Sequence, residues 1–434
     1  MTKNNLCLNF KISNKDFLIK QIKNLDINKI FYAGVFLLPS APYISSVLLI
    51  ISGIYASIKR KNSYFSDKWN LPFLIMGILM ILNSFLITSN IVQIDLEILN
   101  SKLIWIGLIN WIPYFWSFWA FQYFTFHPDQ RKKIGLVLLS GTVPVIISGI
   151  LQFFFKINGP FIFLNGLITW YSKPIDGYNG LSGLFSNANY TGSWLNLVLP
   201  FSLAFLIEAK GKKSHSIIAL SFFILIVIST ILTYSRNSIL GLFLALILIM
   251  GIKTLKWIIP SLITIGIPIS LSIGLIKSKT IIEISRKFIP EIIWNYRFID
   301  FGFDNFFEYG RIKIWTYALK LIGMNPLWGW GSASFPILYN IETDLYKGHA
   351  HNLLLEIGVN YGTISSILFL STIVLITFYS ITQNIDQITT LYDQAWRTSF
   401  LLVFTNQMFD IQYFDFRIGF AFWLLLGGLR NFIK

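Results

Sequence analysis

Charged residues and cysteine are scarce in this chain, and each scarcity excludes a class of protein. Charged residues make up 13% of the 434 residues, whereas a soluble chain usually carries about a quarter. The single cysteine, Cys7, excludes an internal disulfide framework. Hydrophobic residues make up 54% of the chain, and apolar runs of about 20 residues, long enough to span a membrane, recur along it. The sequence therefore predicts an integral membrane protein with many spanning helices.

The net charge of +15 has a simple interpretation in a membrane protein. In a soluble protein such an excess suggests nucleic acid. Here most of it lies in short loops between apolar runs, where basic residues fix the orientation of the helices. We therefore expect no nucleic-acid partner. The first 29 residues contain six lysines and lack the apolar core and cleavage site of a signal peptide, so no removable signal is expected.

The first apolar segment, Ile30 to Ile58, is interrupted by Pro39 and Pro42. Basic clusters lie on both sides of it. A single span would place one cluster outside, whereas two short spans keep both inside, as the positive-inside rule favours. The segment is therefore predicted to be a hairpin of two short helices.

The other apolar runs then alternate between basic inner loops and neutral or acidic outer loops, such as the one with Asp95 and Glu97. The predicted spans are Leu71 to Thr88, Leu103 to Phe124, Ile134 to Phe155, Tyr190 to Ile207, Ile217 to Thr233, Ile239 to Ile252, Trp257 to Ile276, Leu353 to Tyr379, Trp396 to Met408 and Phe416 to Phe432. The fold class is thus an all-α integral membrane protein with about 12 transmembrane helices.

This topology divides the chain into four parts. Residues 1–29 form a cytoplasmic segment, 30–276 hold the first nine spans, 277–351 form a large, partly helical periplasmic loop, and 352–434 hold the last three. Both chain ends are expected in the cytoplasm, and Arg236 and His351 on the outer face. The large loop is rich in aromatic residues, unlike disordered segments, so much of it should pack on the bundle or lie in the membrane interface. These residues are Phe288, Trp294, Tyr296, Phe298, Phe301, Phe303, Phe306, Phe307, Trp315, Trp328 and Trp330.

A histidine pair, His349 and His351, marks the point where the large loop enters an apolar run. Histidine suits proton transfer at neutral pH. A metal site is disfavoured, because no acidic or histidine triad accompanies the pair, and the other histidines, His127 and His215, lie in inner loops. We predict that His351 is a general base, that His349 is an accessory residue or a neighbour, and that no metal is bound.

Helix capping is the competing interpretation of this junction. Asn352 precedes the helix and could be its N-cap, and Glu356 lies near the first turn, where the helix dipole favours an acidic residue. Capping explains both residues but does not require a histidine.

Two arginines on the same outer face point to a phosphate-bearing ligand. Arg236 lies between two apolar runs, where a charge near hydrocarbon costs about 2.5 to 3.5 kcal/mol and normally has a partner or a function. Snorkelling to lipid phosphate is the alternative. Arg311 would share a helical face with Trp315, and alone it would be interpreted as a solvated loop arginine. Guanidinium groups match phosphate oxygens with paired donors, and a diphosphate carries enough charge for both.

Two loop segments are further candidates. Residues 183–192, GLFSNANYTG, form a loop-to-helix junction whose Asn187 and Asn189 could cap the helix or present amide donors to a ligand. Residues 325–331, NPLWGWG, are a turn with aromatic residues that could line a sugar site or dock the loop.

Taken in order, these segments resemble the O-antigen ligase and O-antigen polymerase superfamily of bacterial membrane glycan transferases. The resemblance covers roughly residues 180–365, and the first half of the chain matches only in hydropathy and span count. The matching pieces are residues 183–189, Tyr234-Ser235-Arg236, Arg311 with Trp315, residues 325–331, and His351-Asn352 with Leu355 and Gly358.

The resemblance implies a GT-C-like helix bundle in the bacterial inner membrane, surrounded by membrane lipids. It implies transfer of a glycan from a polyprenyl diphosphate, such as undecaprenyl diphosphate, to an acceptor hydroxyl on a lipid A core or a similar lipid or glycan. The reaction would be inverting and would need no metal or other cofactor. His351 would deprotonate the acceptor, and Arg236 and Arg311 would bind the diphosphate. The accessory residues would be His349, Asn187, Asn189, Asn352 and Trp315.

Two other functions stay open at this point. Ligase and polymerase share the donor site, and the sequence does not separate them. A small-anion transporter, for bicarbonate for example, would also use arginines near hydrocarbon. Transporters, however, usually place ionisable groups near the membrane midplane and show internal repeats, neither of which is evident in this sequence.

Overall fold

The computed structural model describes residues 26–60, 63–89, 99–175, 180–272, 278–288, 310–382 and 390–433. Three predicted features lie outside the described residues. They are the lysines before residue 26, the acidic outer loop with Asp95 and Glu97, and the aromatic residues 294–307 of the large loop.

The first apolar segment is two helices, as predicted. Helices α1 and α2 pack against each other, and the Ser45 hydroxyl donates to the Gly34 carbonyl across the pair at 2.7 Å. Pro42 begins α2, because its missing N–H is unneeded in the first turn of a helix. The helices of this half are α1 Ile27–Leu37, α2 Pro42–Lys59, α3 Leu71–Thr88, α4 Ser101–Ile106, α5 Ile112–Phe121, α6 Pro128–Gly141 and α7 Val143–Phe155.

The second half contains the remaining helices and a small hairpin that the sequence analysis did not predict. Strands β1 Phe161–Phe163 and β2 Ile168–Trp170 pair antiparallel, with Phe161 opposite Trp170. The helices are α8 Ala188–Glu208, α9 Lys213–Leu232, α10 Arg236–Met250, α11 Leu255–Ser272, α12 Lys279–Phe288, α13 Gly310–Met324, α14 Ser334–Thr343, α15 Leu353–Thr382, α16 Leu391–Gln407 and α17 Phe416–Arg430.

Several helices are long and apolar enough to cross a membrane, so the chain is a multi-pass membrane protein. Seven such segments occur among the described residues: Pro42–Lys59, Lys68–Thr88, Ser101–Phe124, Pro128–Phe155, Ala188–Glu208, Lys213–Leu232 and Leu353–Thr382. The helices α1 and α10 are apolar but shorter. The total of about 12 spans therefore stays a prediction.

Helix α8 lies at the centre of the bundle. It packs against α6, α9, α10, α16 and α17, and most of its residues are buried. Two polar side chains pair inside this core: the Trp194 indole donates to the Thr142 hydroxyl at 3.0 Å, and the Ser399 hydroxyl donates to the Leu197 carbonyl at 2.6 Å. The N-terminal end of α8 is thereby held in a fixed position.

Side-chain contacts divide the helix ends into two groups. At one end of the bundle, Arg131 pairs with Asp393 at 2.7 Å and Arg430 with Asp67 at 2.9 Å. At the other end, His351 pairs with Asp410. The grouping agrees with the alternation of inner and outer loops expected from charge. The assignment of the first group to the cytoplasm stays a prediction.

Helix α15 is broken at Gly362, where φ is 83° and ψ is 166°. The break frees backbone carbonyls, and the turn at residues 325–331 satisfies them. The Trp330 N–H donates to the Val359 carbonyl at 2.7 Å, and the Gly331 N–H to the Asn360 carbonyl at 3.0 Å. Asn83 of α3 donates to the Trp328 carbonyl. This turn therefore docks the large loop on the bundle, one of the two roles considered for it.

The described part of the large loop has its own hydrophobic cluster. Residues of α13 and α14 pack together and against the first turns of α15. The buried members are Ile314, Ala318, Leu321, Phe335, Tyr339, Ala350 and Val359. The cluster fixes the loop beside the helix that follows the histidine pair.

Gly362→Ala is expected to destabilise the protein by about 3 kcal/mol, because an L-residue is strained at this φ. An added Cβ would also overlap the Leu327 carbonyl. Thermal unfolding of the detergent-solubilised protein measures the effect. Gly323→Ala is the control, since no atom lies within 4 Å of a Cβ added there. Equal unfolding temperatures for the two variants would contradict this account of the break.

Candidate active site

His351 is held in a defined orientation at the start of α15. Its backbone adopts φ of 53°, and its N–H donates to Nδ1 of His349 at 3.2 Å. Its ring nitrogen Nδ1 lies 2.6 Å from Oδ1 of Asp410. The side chains are 25% exposed for His351 and 9% for Asp410. The imidazole is therefore reachable on one side and anchored on the other.

Asp410 lies in the turn between α16 and α17, and the sequence analysis did not identify it. Its second oxygen accepts a hydrogen bond from the Asn189 amide at 2.9 Å. Burial alone would raise the pKa of the Asp410 carboxyl. The hydrogen bond from His351 and the charges of His351, His349 and Arg311 outweigh burial, so the pKa is lowered below its usual value of 3.8.

The charge of Asp410 decides which nitrogen of His351 carries a proton. An ionised carboxylate only accepts hydrogen bonds, so Nδ1 of the imidazole must be the donor. In neutral His351 the other ring nitrogen, Nε2, therefore carries no proton and can accept one. A hydrogen bond of this kind fixes both the tautomer and the orientation of a histidine.

Three helices begin around this turn. Asn187 caps α8 and accepts from the Asn189 N–H at 2.8 Å. Asn352 caps α15 by accepting from the N–H groups of Leu354 and Leu355 at 3.0 and 3.1 Å. Helix α10 begins at Arg236. Helix N-termini carry partial positive charge, so their convergence favours an anion.

Hydrogen bonds tie these helix starts to the Asp410 turn. The Asn352 amide donates to the Met408 carbonyl at 2.9 Å. The Asn237 amide donates at 3.2 Å to the Asn406 carbonyl, which also accepts from the Asp410 N–H. Of the two roles considered for the asparagines, Asn187 and Asn352 serve as caps, whereas Asn189 binds the carboxylate.

Both predicted arginines contribute charge to the same region. Arg236 and Arg311 are exposed at its surface. The surrounding protein lowers the pKa of Arg311 by desolvation, Asp410 raises it, and Arg236 lowers it further. Arg311 therefore lies within electrostatic range of both Asp410 and Arg236. Trp315, one turn further along α13, packs on the cluster of the large loop.

Glu356 supports the histidine segment rather than only complementing the helix dipole. It is buried, and its carboxylate accepts from the Ala350 N–H at 2.8 Å and from the Asn360 amide at 2.9 Å. Because Ala350 separates the two histidines, this buried acid fixes the loop that carries them.

Asp410 adds a third possible metal ligand to the two histidines. Ligand atoms of His349, His351 and Asp410 lie within 4.8 Å of one another, so a third donor is present that the local sequence did not show. The donor set is nonetheless poorly suited to a cation. Asp410 already accepts from His351 and Asn189, and Arg311 adds positive charge to the region. A metal-independent site therefore stays our prediction.

The pKa of His349 is lowered to about 4, mainly by burial. The charges of His351 and Arg311 also lower this pKa, whereas the charge of Asp410 raises it. Unfolded histidine has a pKa near 6.5. As pH falls from about 6.5 to 4, the unfolded chain therefore binds a proton that the folded chain does not, and stability decreases. His349→Asn should make the fall in unfolding temperature across this window shallower. His215→Asn, at an exposed position in the other helix-end group, should leave the fall unchanged. An unaltered pH dependence in His349→Asn would contradict the prediction.

Comparison with known proteins gives one family match. Residues 220–370 match the family model described as O-antigen ligase, and no curated protein matches the chain. The matched segment contains Arg236, Arg311 and His351, whereas Asn189 and Asp410 lie outside it. This match confirms the resemblance of the chain to the O-antigen ligase and polymerase superfamily.

Proposed function

We propose that this chain is an O-antigen ligase-like glycan transferase. It moves a glycan from a polyprenyl diphosphate carrier to an acceptor hydroxyl at the periplasmic face of a bacterial inner membrane. The observation that carries the proposal is the 2.6 Å contact between His351 and Asp410, within electrostatic range of Arg311. The match to the O-antigen ligase family supports the type of activity.

In the proposed reaction, His351 is the general base. The acceptor hydroxyl transfers its proton to Nε2 as its oxygen attacks the anomeric carbon of the donor glycan. The bond from that carbon to the diphosphate oxygen breaks, and the lipid diphosphate leaves with the electron pair. Attack opposite the leaving group inverts the anomeric centre. Asp410 stabilises the imidazolium that forms and holds it in position.

In this proposal, the two arginines stabilise the charge of the leaving diphosphate. Negative charge develops on its bridging oxygen, and preorganised donors are most effective where charge develops. Arg236 and Arg311 supply guanidinium groups, and the N-termini of α8, α10 and α15 supply backbone dipoles. Because hydrogen bonds fix the helix N-termini before the donor binds, little backbone reorganisation is needed as the bond breaks.

The remaining predicted residues would hold the catalytic and diphosphate-binding groups in position. Neutral His349 accepts the backbone N–H of His351. Asn187 and Asn352 cap their helices, and Asn189 holds Asp410. Trp315 anchors α13 and so positions Arg311.

A gene deletion tests the proposal. Surface polysaccharide and extracted lipid-linked glycans are resolved side by side from the deletion strain and from strains complemented with wild type, Arg236→Ala or Arg311→Ala. We expect long glycans to disappear from the surface and to accumulate on the lipid carrier. Wild type should restore them, whereas the arginine variants should not, despite normal amounts in the membrane. Lys313→Ala, an exposed cation on α13, is the control and should complement.

The same gel separates the candidate functions. Long glycans retained on the carrier identify a ligase. Single-repeat glycans on the surface identify a polymerase, since chain extension and not transfer is then missing. If neither pool changes in the deletion strain, the transferase proposal is wrong.

A further inference from the structure

A cavity of about 990 Å³ opens at the end of the bundle opposite His351 and Asp410. It is formed where α2 and α17 end, where α6 begins, and at the turns before α3 and after α5. Its charged lining residues include Lys59, Lys68 and Arg430. From the charge pattern of the loops, we expect this end to face the cytoplasm.

The cavity carries an excess of positive charge. Four lysine and arginine side chains line it, Lys59, Arg60, Lys68 and Arg430, against the single carboxylate of Asp67. That carboxylate is already paired with Arg430 at 2.9 Å. Lys59 and Lys68 are exposed. The first 25 residues of the chain hold five lysines and one aspartate, so this segment is unsuited to neutralise the cavity.

One buried donor in the wall, the Gln122 amide, has no acceptor in the described part of the chain. Gln122 is only 3% exposed, and its carbonyl oxygen accepts from both terminal guanidinium nitrogens of Arg60 at 3.2 Å. Its amide nitrogen Nε2 is buried and has no hydrogen-bond partner among the described residues. A buried unsatisfied donor is unfavourable, and the bond to Arg60 fixes the orientation of the amide. The wall thus contains a buried N–H group without an acceptor among the described residues, beside cations that outnumber the lining carboxylate.

We propose that this cavity binds a phosphate-bearing anion, either the headgroup of an acidic phospholipid from the adjacent leaflet or a free phosphate compound. The ionised oxygens of a phosphate group accept hydrogen bonds, which suits both the Gln122 amide and the lysines. The N-terminus of α6 also faces the cavity through His127 and Gln130 and favours negative charge. Basic pockets between helices at the cytoplasmic side of membrane proteins bind acidic headgroups in this way. The inference does not depend on the chemistry at His351.

Native mass spectrometry of the full-length protein in detergent tests the lipid source, with phosphatidylglycerol and neutral phosphatidylcholine as probes. We expect one phosphatidylglycerol to bind about 30-fold more tightly than phosphatidylcholine. Lys59→Ala combined with Lys68→Ala should remove most of this preference, and Gln122→Leu should weaken it. Lys210→Ala combined with Lys212→Ala is the matched control. It removes the same charge from exposed positions outside the cavity and should keep the preference.

Sodium phosphate tests the other source. A rise in the unfolding temperature with millimolar phosphate, absent in the Lys59 and Lys68 double variant, would assign the site to a free phosphate compound. Phosphatidylglycerol preference without such a rise would assign it to a lipid headgroup. The proposal is overturned if wild type shows neither response. It is also overturned if the control double variant loses the response as fully as the cavity variant, because surface charge in general would then explain the binding.

Discussion

His351→Ala is expected to lower the rate of glycan transfer about 10³-fold, within the range that general-base catalysis contributes. The substitution removes the nitrogen that accepts the hydroxyl proton and leaves the arginines in place. Donor binding should therefore change little. The measurement is turnover of a polyprenyl diphosphate-linked glycan by the purified protein, with the product resolved on a gel.

His349→Ala is the matched control for this experiment. The His349 ring contacts the His351 ring edge-to-face with centroids 4.4 Å apart, but its low pKa makes it a poor proton acceptor at neutral pH. We expect the transfer rate to fall less than about 10-fold, because His351 is then positioned less firmly. Full activity in His351→Ala would refute the general-base assignment. A larger loss in His349→Ala than in His351→Ala would move the assignment to His349.

Asp410→Asn is expected to lower kcat about 10²-fold with little change in KM for the donor. The variant loses the negative charge that stabilises the imidazolium. An amide can also donate a hydrogen bond to Nδ1, which would place the ring proton on Nε2, where the acceptor hydroxyl needs a base. Steady-state kinetics at a fixed acceptor concentration separate the two constants.

Two variants distinguish a positioning role of Asp410 from a general effect on folding. Asp410→Glu keeps the charge and should recover part of kcat. Asp344→Asn alters an exposed acid in the large loop and should behave as wild type. An equal fall in kcat for the Asn and Glu variants, together with a lowered unfolding temperature, would indicate that Asp410 only supports the fold.

Helix positions were the most predictable feature of this chain. The predicted span Leu71 to Thr88 has the same limits as α3, and α15 begins at Leu353 as expected. Hydropathy predicts these limits well because an apolar run and a membrane helix both end where the chain leaves the hydrocarbon core. It gave no signal for the hairpin of β1 and β2, which is made of apolar residues in a loop. Nor did it reveal the break at Gly362, which lies inside a continuous apolar run.

The site was predictable in part. The sequence indicated both arginines and His351 as candidates, and the structure brings them into one electrostatic environment. Asp410 was missed because it is 59 residues from His351, and a tertiary contact of that separation leaves no local pattern. A signal was nonetheless present. Asp410 is a charge between two apolar runs, which is the same property that drew attention to Arg236.

The junction between the large loop and α15 has a consequence for motion. Opening the turn at residues 325–331 alone would leave the carbonyls of Val359 and Asn360 without their hydrogen bonds from Trp330 and Gly331. Each unpaired buried carbonyl is unfavourable by about 1 to 3 kcal/mol. Loop and helix therefore open together as one cooperative unit. Any movement that admits the donor and acceptor of the proposed reaction is therefore expected to move loop and helix as one body or to occur elsewhere in the protein.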